Sequence, residues 1–204
     1  LEKVTPHEAL NHPKWKMGKK ISVDSATLMN KIFEVIEAHK LFDVDLKKIE
    51  ILIHPQSLVH AILKFKNGIY KFIFFKHDMS IPIGNALFGE KFKYAYNSKL
   101  NSEIASNLEF LKVKKSKFPA IKLKPILNKY SSLPIILNAA NEIFVDEFLK
   151  NNISFYSIIS NLFELLRDKN LTKYAIKSPS NYESILDIDE WVRRQANEIA
   201  RKKK

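Results

Sequence analysis

The sequence predicts an α+β protein: a part with a small mixed or antiparallel sheet and helices over residues 1–117, followed by a small α-helical bundle over 118–204. Three observations carry that expectation. Apolar residues recur at helical spacing just after Asp24, an Asn67-Gly68 dipeptide separates two β-rich runs, and from Pro119 onward the pattern is almost continuously helical.

A helix starting near Asp24 or Ser25 and running to about Lys40 puts Leu28, Ile32, Val35 and Ile36 on one stripe. Asn30, Lys31, Glu34 and Glu37 fall on the other. Ser25 would then lie at the helix N-terminus, where unpaired N–H groups and the positive end of the dipole favour an anion. Residues 49–53 read as a largely buried strand, and residues 62–65 and 70–75 as a hairpin around Asn67-Gly68. Ile81-Pro82-Ile83 opens a short helix, with Pro tolerated in the first turn. The polar stretch 91–117 carries no clear element and is expected to cross between domains. Helices follow at 120–129, 134–150, 155–167 and 182–203, the last capped by Ser180 or Asn181.

Composition narrows the function. With 204 residues and 46% hydrophobic content, the chain can bury a sizeable core. It has no cysteine, which excludes disulfides and thiolate metal sites and is compatible with a reducing compartment. No apolar run reaches the roughly 18 residues that a membrane-spanning helix needs. A net charge of +12 suggests polyphosphate partners, but thirty of the 34 basic residues are Lys, and Arg167, Arg193, Arg194 and Arg201 all lie near the C-terminal end. The bidentate contacts typical of nucleic-acid readers are therefore scarce, and no specific nucleic-acid binding is expected.

The stretch HPKWKMGKKISVDSATLMNKIFE, from His12 to Glu34, carries the chemistry. It sets a hydroxyl, an amide, an ammonium and a carboxylate at helical spacing, a set able to grip a phosphate and a metal together. By spacing alone, Lys31 and Glu34 are equally an ordinary i,i+3 surface ion pair. The segments TPHEALNHPKWKMGKKISVDSATLMNKIFEVIEAH, IHPQSLVHAI, HDMSIPI and LNAANE decide between the two readings. In that order they resemble the signatures of the 1-deoxy-D-xylulose 5-phosphate reductoisomerase family, which makes 2-C-methyl-D-erythritol 4-phosphate in non-mevalonate isoprenoid biosynthesis. Two departures stand out: His77 replaces the family's usual Pro before Asp78-Met79, and residues 91–117 match poorly.

The resemblance implies an NADPH-dependent oxidoreductase and isomerase, a Mg²⁺ or Mn²⁺ cofactor, a sugar phosphate substrate, a homodimer, and a bacterial cytoplasmic or plastid location. It implies that Ser25, Asn30 and Lys31 hold the substrate phosphate, and that Glu34 is a metal ligand beside the substrate. His12 would contact substrate, with His12 and Glu34 the catalytic residues. Trp15 and Met17 would belong to a closing flap, and the Gly18 backbone would approach NADPH. Asp78 would brace the flap and His60 would lie near the active site. His54 and His60 would share a face on a continuous strand, but no third ligand stands at zinc spacing.

The family's nucleotide-binding half carries a glycine-rich turn, whereas this sequence has only Gly18, Gly68, Gly84 and Gly89 and no G-x-G-x-x-G. Nor does it contain the acidic segment that completes the family's metal site. The expectation is therefore a C-terminal portion, cut within the catalytic domain, without the Rossmann domain and inactive alone. The competing readings are a basic anion- or nucleic-acid-binding module and a metal-dependent aldolase.

Overall fold

A computed structural model describes residues 3–11, 17–94, 107–174 and 178–202. The described residues up to Ile51, with those from Val113 onward, form one compact unit, and Leu52–Lys112 form another. These units are drawn differently from a division after residue 117. The helices near the N-terminus share their buried side chains with the C-terminal helices.

In the first unit, α1 (Pro6–Leu10) is held by a capping box: Glu8 N–H donates to Thr5 Oγ1, and Thr5 N–H donates to the Glu8 carboxylate. α2 (Lys19–Thr27) and α3 (Met29–Phe42) stand where the sequence suggested one helix from Asp24 or Ser25. The expected stripe is nonetheless real, since Leu28, Ile32 and Val35 are buried. A 3₁₀ turn, Leu46–Lys48, begins at Asp45, whose carboxylate accepts the Lys47 N–H.

The segment expected as an α-helix at 120–129 is a 3₁₀ helix, Pro119–Ile126, with Pro125 inside it. Proline has no N–H for an α-helical bond, which disfavours continuous α-helix there. α5 (Leu133–Leu149) is the central element, with Ile136, Leu137, Ala139, Ala140, Phe144, Val145 and Phe148 all essentially inaccessible. α6 (Phe155–Leu165) is capped by Ser154 and packs on α5. A short α7 (Leu171–Tyr174) follows, and Tyr174 stacks on Trp191 of α8 (Tyr182–Arg201) at 4.3 Å. Asn181 caps α8 in a reciprocal pair with Ser184. Arg193 then ties α8 to α5 by donating to Glu142, while also pairing with Asp189 in its own helix.

Among its described residues, the second unit has two antiparallel ladders. β1 (Leu52–Ile53) pairs with β4 (Leu111–Lys112), and β2 (Val59–Lys64) with β3 (Tyr70–Phe74). The buried strand expected at 49–53 shrinks to the two residues that find a partner. The hairpin forms around Asn67-Gly68, with Gly68 N–H bonding Phe65 O and Gly68 at φ +87°. Three residues, Lys66 to Gly68, make the loop, so the glycine supplies the left-handed position after a tight turn. α4 (Ser80–Phe88) starts as expected near Ile81-Pro82, and Gly84 lies under the Phe92 ring, which a Cβ there would strike. Among the described residues, every buried apolar side chain belongs to the first unit, and no helix is long and apolar enough to cross a membrane.

Candidate active site

α2 begins at Gly18, whose carbonyl accepts both the N–H and the hydroxyl of Ser22. It ends where Leu28 turns left-handed, at φ +69°. Leucine seldom adopts this conformation. Its side chain is 7% exposed, so burial offsets the backbone strain. Thr27 completes the elbow: its hydroxyl accepts the Met29 N–H at 3.3 Å and donates back to the Val23 carbonyl at 3.1 Å. One of the donors left unpaired at the start of α3 is thereby satisfied from α2.

This elbow corrects the placement of Ser25. It sits in the last turn of α2, where its carbonyl accepts the Leu28 N–H, and not at a helix N-terminus. The favourable dipole end belongs to the first turn of α3, which contains Asn30 and Lys31. Those two side chains and Glu34 do meet. Asn30 Nδ2 donates to Glu34 Oε1 at 2.6 Å, and Lys31 Nζ to Glu34 Oε2 at 2.7 Å. The Lys31 and Glu34 side chains are 44% and 43% exposed, so the pair contributes under about 1 kcal/mol to folding. Such a contact is cheap to exchange for a ligand.

A buried partner of this helix pair was not anticipated from the sequence. Asp24, only 2% exposed, accepts from Lys20 Nζ at 2.8 Å and from Asn141 Nδ2 at 2.7 Å. Lys20 also lies over the Phe33 ring, 5.2 Å from its centre. Asn141 is the second asparagine of LNAANE, and the motif now has a physical reading. Ala139 and Ala140 are fully buried, Asn141 reaches α2, and Glu142 holds Arg193 of α8. The detectable signal was a charged residue and an amide inside otherwise packed helical stretches.

A cavity of about 660 Å³ opens beside these groups, lined by Gly18, Lys20, Asp24, Asn30, Phe33 and Asn138 among others. A Cβ on Gly18 would meet nothing within 4 Å, so the backbone there is open to an approaching molecule. Met17 is half-buried, while His12 and Trp15 lie outside the described residues. Glu34 offers a hard oxygen ligand suited to Mg²⁺ or Mn²⁺. Among the described residues no group of three or more His, Asp or Glu is placed to hold a metal.

In the second unit, His54 and His60 do not share a continuous strand, because Ser57 at φ +54° interrupts the chain between them. His54 stacks on Phe110 and hydrogen-bonds Glu109 O, whereas His60 stacks on Phe75 at 3.7 Å. Asp78 accepts from the Tyr94 hydroxyl at 2.7 Å and from the Ser80 N–H at the start of α4. The Tyr94 hydrogen bond first, then those from Ser80, hold its carboxyl below the ordinary carboxylate value.

Residues 76–195 match the family model described as the DXP reductoisomerase C-terminal domain, and residues 1–42 match that of the 1-deoxy-D-xylulose 5-phosphate reductoisomerase C-terminal domain. The chain belongs to the 1-deoxy-D-xylulose 5-phosphate reductoisomerase family. It is 43% identical to the enzyme of that name from Thermodesulfovibrio yellowstonii, over 96% of this chain and 50% of the relative. Against the Pelagibacter ubique enzyme it is 38% identical, covering 93% and 49%. A solved reductoisomerase from Zymomonas mobilis in complex with NADPH superposes with a TM-score of 0.84 at 34% identity, over 98% of this chain and 50% of that one. Another, in complex with NADPH, fosmidomycin and magnesium, gives 0.92 at 34% identity with the same coverage. The chain spans about half the length of the family members it matches.

Proposed function

We propose that this chain acts in converting 1-deoxy-D-xylulose 5-phosphate to 2-C-methyl-D-erythritol 4-phosphate by isomerisation and NADPH-dependent reduction, with Mg²⁺ or Mn²⁺. The observation that carries the reading is the grouping of Asn30, Lys31 and Glu34 on one face of α3, directly after the Leu28 elbow. The amide and ammonium donors converge with the carboxylate, so a phosphate held by Asn30 and Lys31 brings the rest of a short sugar phosphate beside Glu34. Ser25, Asn30 and Lys31 bind the phosphate, and Glu34 is the metal ligand. His12 contacts the substrate, Trp15 and Met17 close over it, and the Gly18 backbone meets NADPH. When bound, the cation polarises the substrate's carbonyl and hydroxyl oxygens, and NADPH supplies the hydride.

Lys31 and Asn30 each spend one N–H on Glu34, which leaves an amide N–H and two ammonium N–H groups for phosphate oxygens, and the Glu34 carboxylate keeps lone pairs for a cation. The phosphate anchor fixes the sugar so that binding energy from a non-reacting group positions the reacting carbons. The lid residues exclude water from an aldehyde intermediate.

The test is NADPH oxidation by the intact protein on addition of 1-deoxy-D-xylulose 5-phosphate, with and without Mg²⁺ or Mn²⁺. Substrate- and metal-dependent oxidation is expected. Carbon–carbon cleavage without NADPH consumption would instead make the protein an aldolase.

The family resemblance also supports a homodimer. The β2–β3 hairpin leaves Leu63, Phe65, Ile69, Tyr70 and Phe72 exposed, and an isolated two-stranded hairpin is only marginally stable in water. Sedimentation showing a concentration-independent monomer of the intact protein would reject this assembly. We place the activity in a bacterial cytoplasm or a plastid.

A further inference from the structure

We propose that Asp24 is a positioning residue for the anion- and metal-binding face of α3, acting through Asn141 on α5 and Lys20 on α2. The proposal rests on the phosphate and metal reading of Asn30, Lys31 and Glu34 and adds what aims them. Those three side chains ride on the first turns of α3, so their direction is set by the elbow at Leu28 and by whatever holds α2 in place.

Asp24 lies one turn before that elbow. One oxygen is fixed across the chain to Asn141, 117 residues away, and the other to Lys20, whose ammonium also sits over Phe33 of α3. The network therefore connects α5 to α2 and α2 to α3. Its composition is costly for a purely structural role. Asn141 is fully buried among the apolar side chains of α5, Nδ2 is spent on Asp24, and Oδ1 has no hydrogen-bond partner among the described residues. Apolar side chains of similar volume would fill this site without burying a carboxylate and a half-satisfied amide. What they would lack is direction: a charge-assisted hydrogen bond fixes one orientation of α2, whereas apolar packing tolerates sliding. Cavity-lining Asp24 and Lys20 stand beside Asn30, so a shift of α2 is felt where ligand binds.

The experiment uses the intact enzyme with inorganic phosphate as the probe, at saturating NADPH so that phosphate competes with the substrate for the anion subsite. Asp24→Asn should raise the phosphate Ki and the Mn²⁺ concentration for half-activation together, each by about tenfold, as supporting contacts to binding residues generally do. Asn141→Asp alone, which sets a second carboxylate against Asp24, should do the same. The exchange Asp24→Asn with Asn141→Asp restores a carboxylate–amide pair and should recover most of both losses. Should the single variants fail to fold, Lys20→Gln, at a side chain 39% exposed, removes the ion pair to Asp24 and the contact over Phe33 while leaving the Asp24–Asn141 bond in place, and should raise the phosphate Ki about threefold.

A folded Asp24→Asn protein with reduced thermal stability but unchanged phosphate Ki overturns the positioning role. So does an unchanged Ki in Lys20→Gln where the single variants do not fold. Lys31→Ala separates the two levels: if it weakens phosphate while Asp24→Asn does not, the positioning role alone fails. If Lys31→Ala leaves phosphate binding untouched, both the role and the reading beneath it fail.

Discussion

Replacing Leu28 by glycine sets two terms of known sign against each other. Leu28 is 7% exposed, and truncating such a side chain to Ala costs about 2–5 kcal/mol. Its φ of +69° costs a non-glycine residue about 1–2 kcal/mol, which glycine regains, less about 0.5–1 kcal/mol for the freer unfolded chain. Leu28→Gly should therefore destabilise by roughly 1–4 kcal/mol, and Leu28→Ala, which keeps the strain and loses the side chain, by at least as much. The assay is urea unfolding of the intact protein followed by the assigned NMR signal of the buried Trp191 indole, which reports on the helical unit. With m-values of about 1–3 kcal/mol/M, the midpoint should fall by on the order of 1 M. An unchanged or higher midpoint in Leu28→Gly would mean that strain outweighs burial. If glycine were less stable than alanine at this position, Leu28 would not be left-handed in the folded protein. The elbow would then have no basis.

Three other outcomes follow from the site. Lys31→Ala should raise the substrate KM by roughly 10–100-fold through loss of a charge-assisted phosphate contact, while stability changes by less than about 1 kcal/mol because its pair with Glu34 is half exposed; steady-state kinetics and a melt give both numbers, and unchanged kinetics removes Lys31 from the site. Glu34→Gln keeps the shape but loses the charge, so metal titrations of activity should shift upward by on the order of tenfold or more, with partial rescue by excess Mn²⁺; wild-type metal dependence would return Glu34 to an ordinary surface ion pair. The Asp78 carboxyl is held low by Tyr94 first and Ser80 second, so its contribution to stability is present above the ordinary carboxylate value and lost as pH falls through the lowered one. Tyr94→Phe should move that loss to higher pH, as read by NMR titration of Asp78, and an unmoved titration would show that the hydroxyl does not hold the carboxylate.

What the sequence made legible was whatever is written in nearby residues. The stripe of Leu28, Ile32 and Val35 follows from a 3.6-residue period, and the hairpin from Asn67-Gly68 between two β-rich runs. α5, α6 and α8 came out close to their observed bounds because each has a long apolar face and a stop or cap that local chemistry supplies. The 3₁₀ helix at Pro119–Ile126 was read as α because its apolar spacing is helical, while Pro125 changed the hydrogen bonding and left the spacing alone. The short pairing of Leu52 and Ile53 with Leu111 and Lys112 joins residues almost sixty apart, and no local preference announces it.

The candidate site divides along the same line. Asn30, Lys31 and Glu34 are i,i+3 and i,i+4 neighbours, so helical spacing alone brings them together. Their aim depends on Leu28, a residue whose type gives no hint of a left-handed backbone; glycine or asparagine would have flagged the break, and leucine conceals it because burial and not backbone preference decides its conformation. It depends equally on Asp24 meeting Asn141 across 117 residues. Each of these lies within a recognisable segment, yet their pairing is a property of the packed core. The same segment therefore carries two kinds of information. Its outward residues state the chemistry, and one of its inward polar residues, Asp24, is what we propose fixes where that chemistry points.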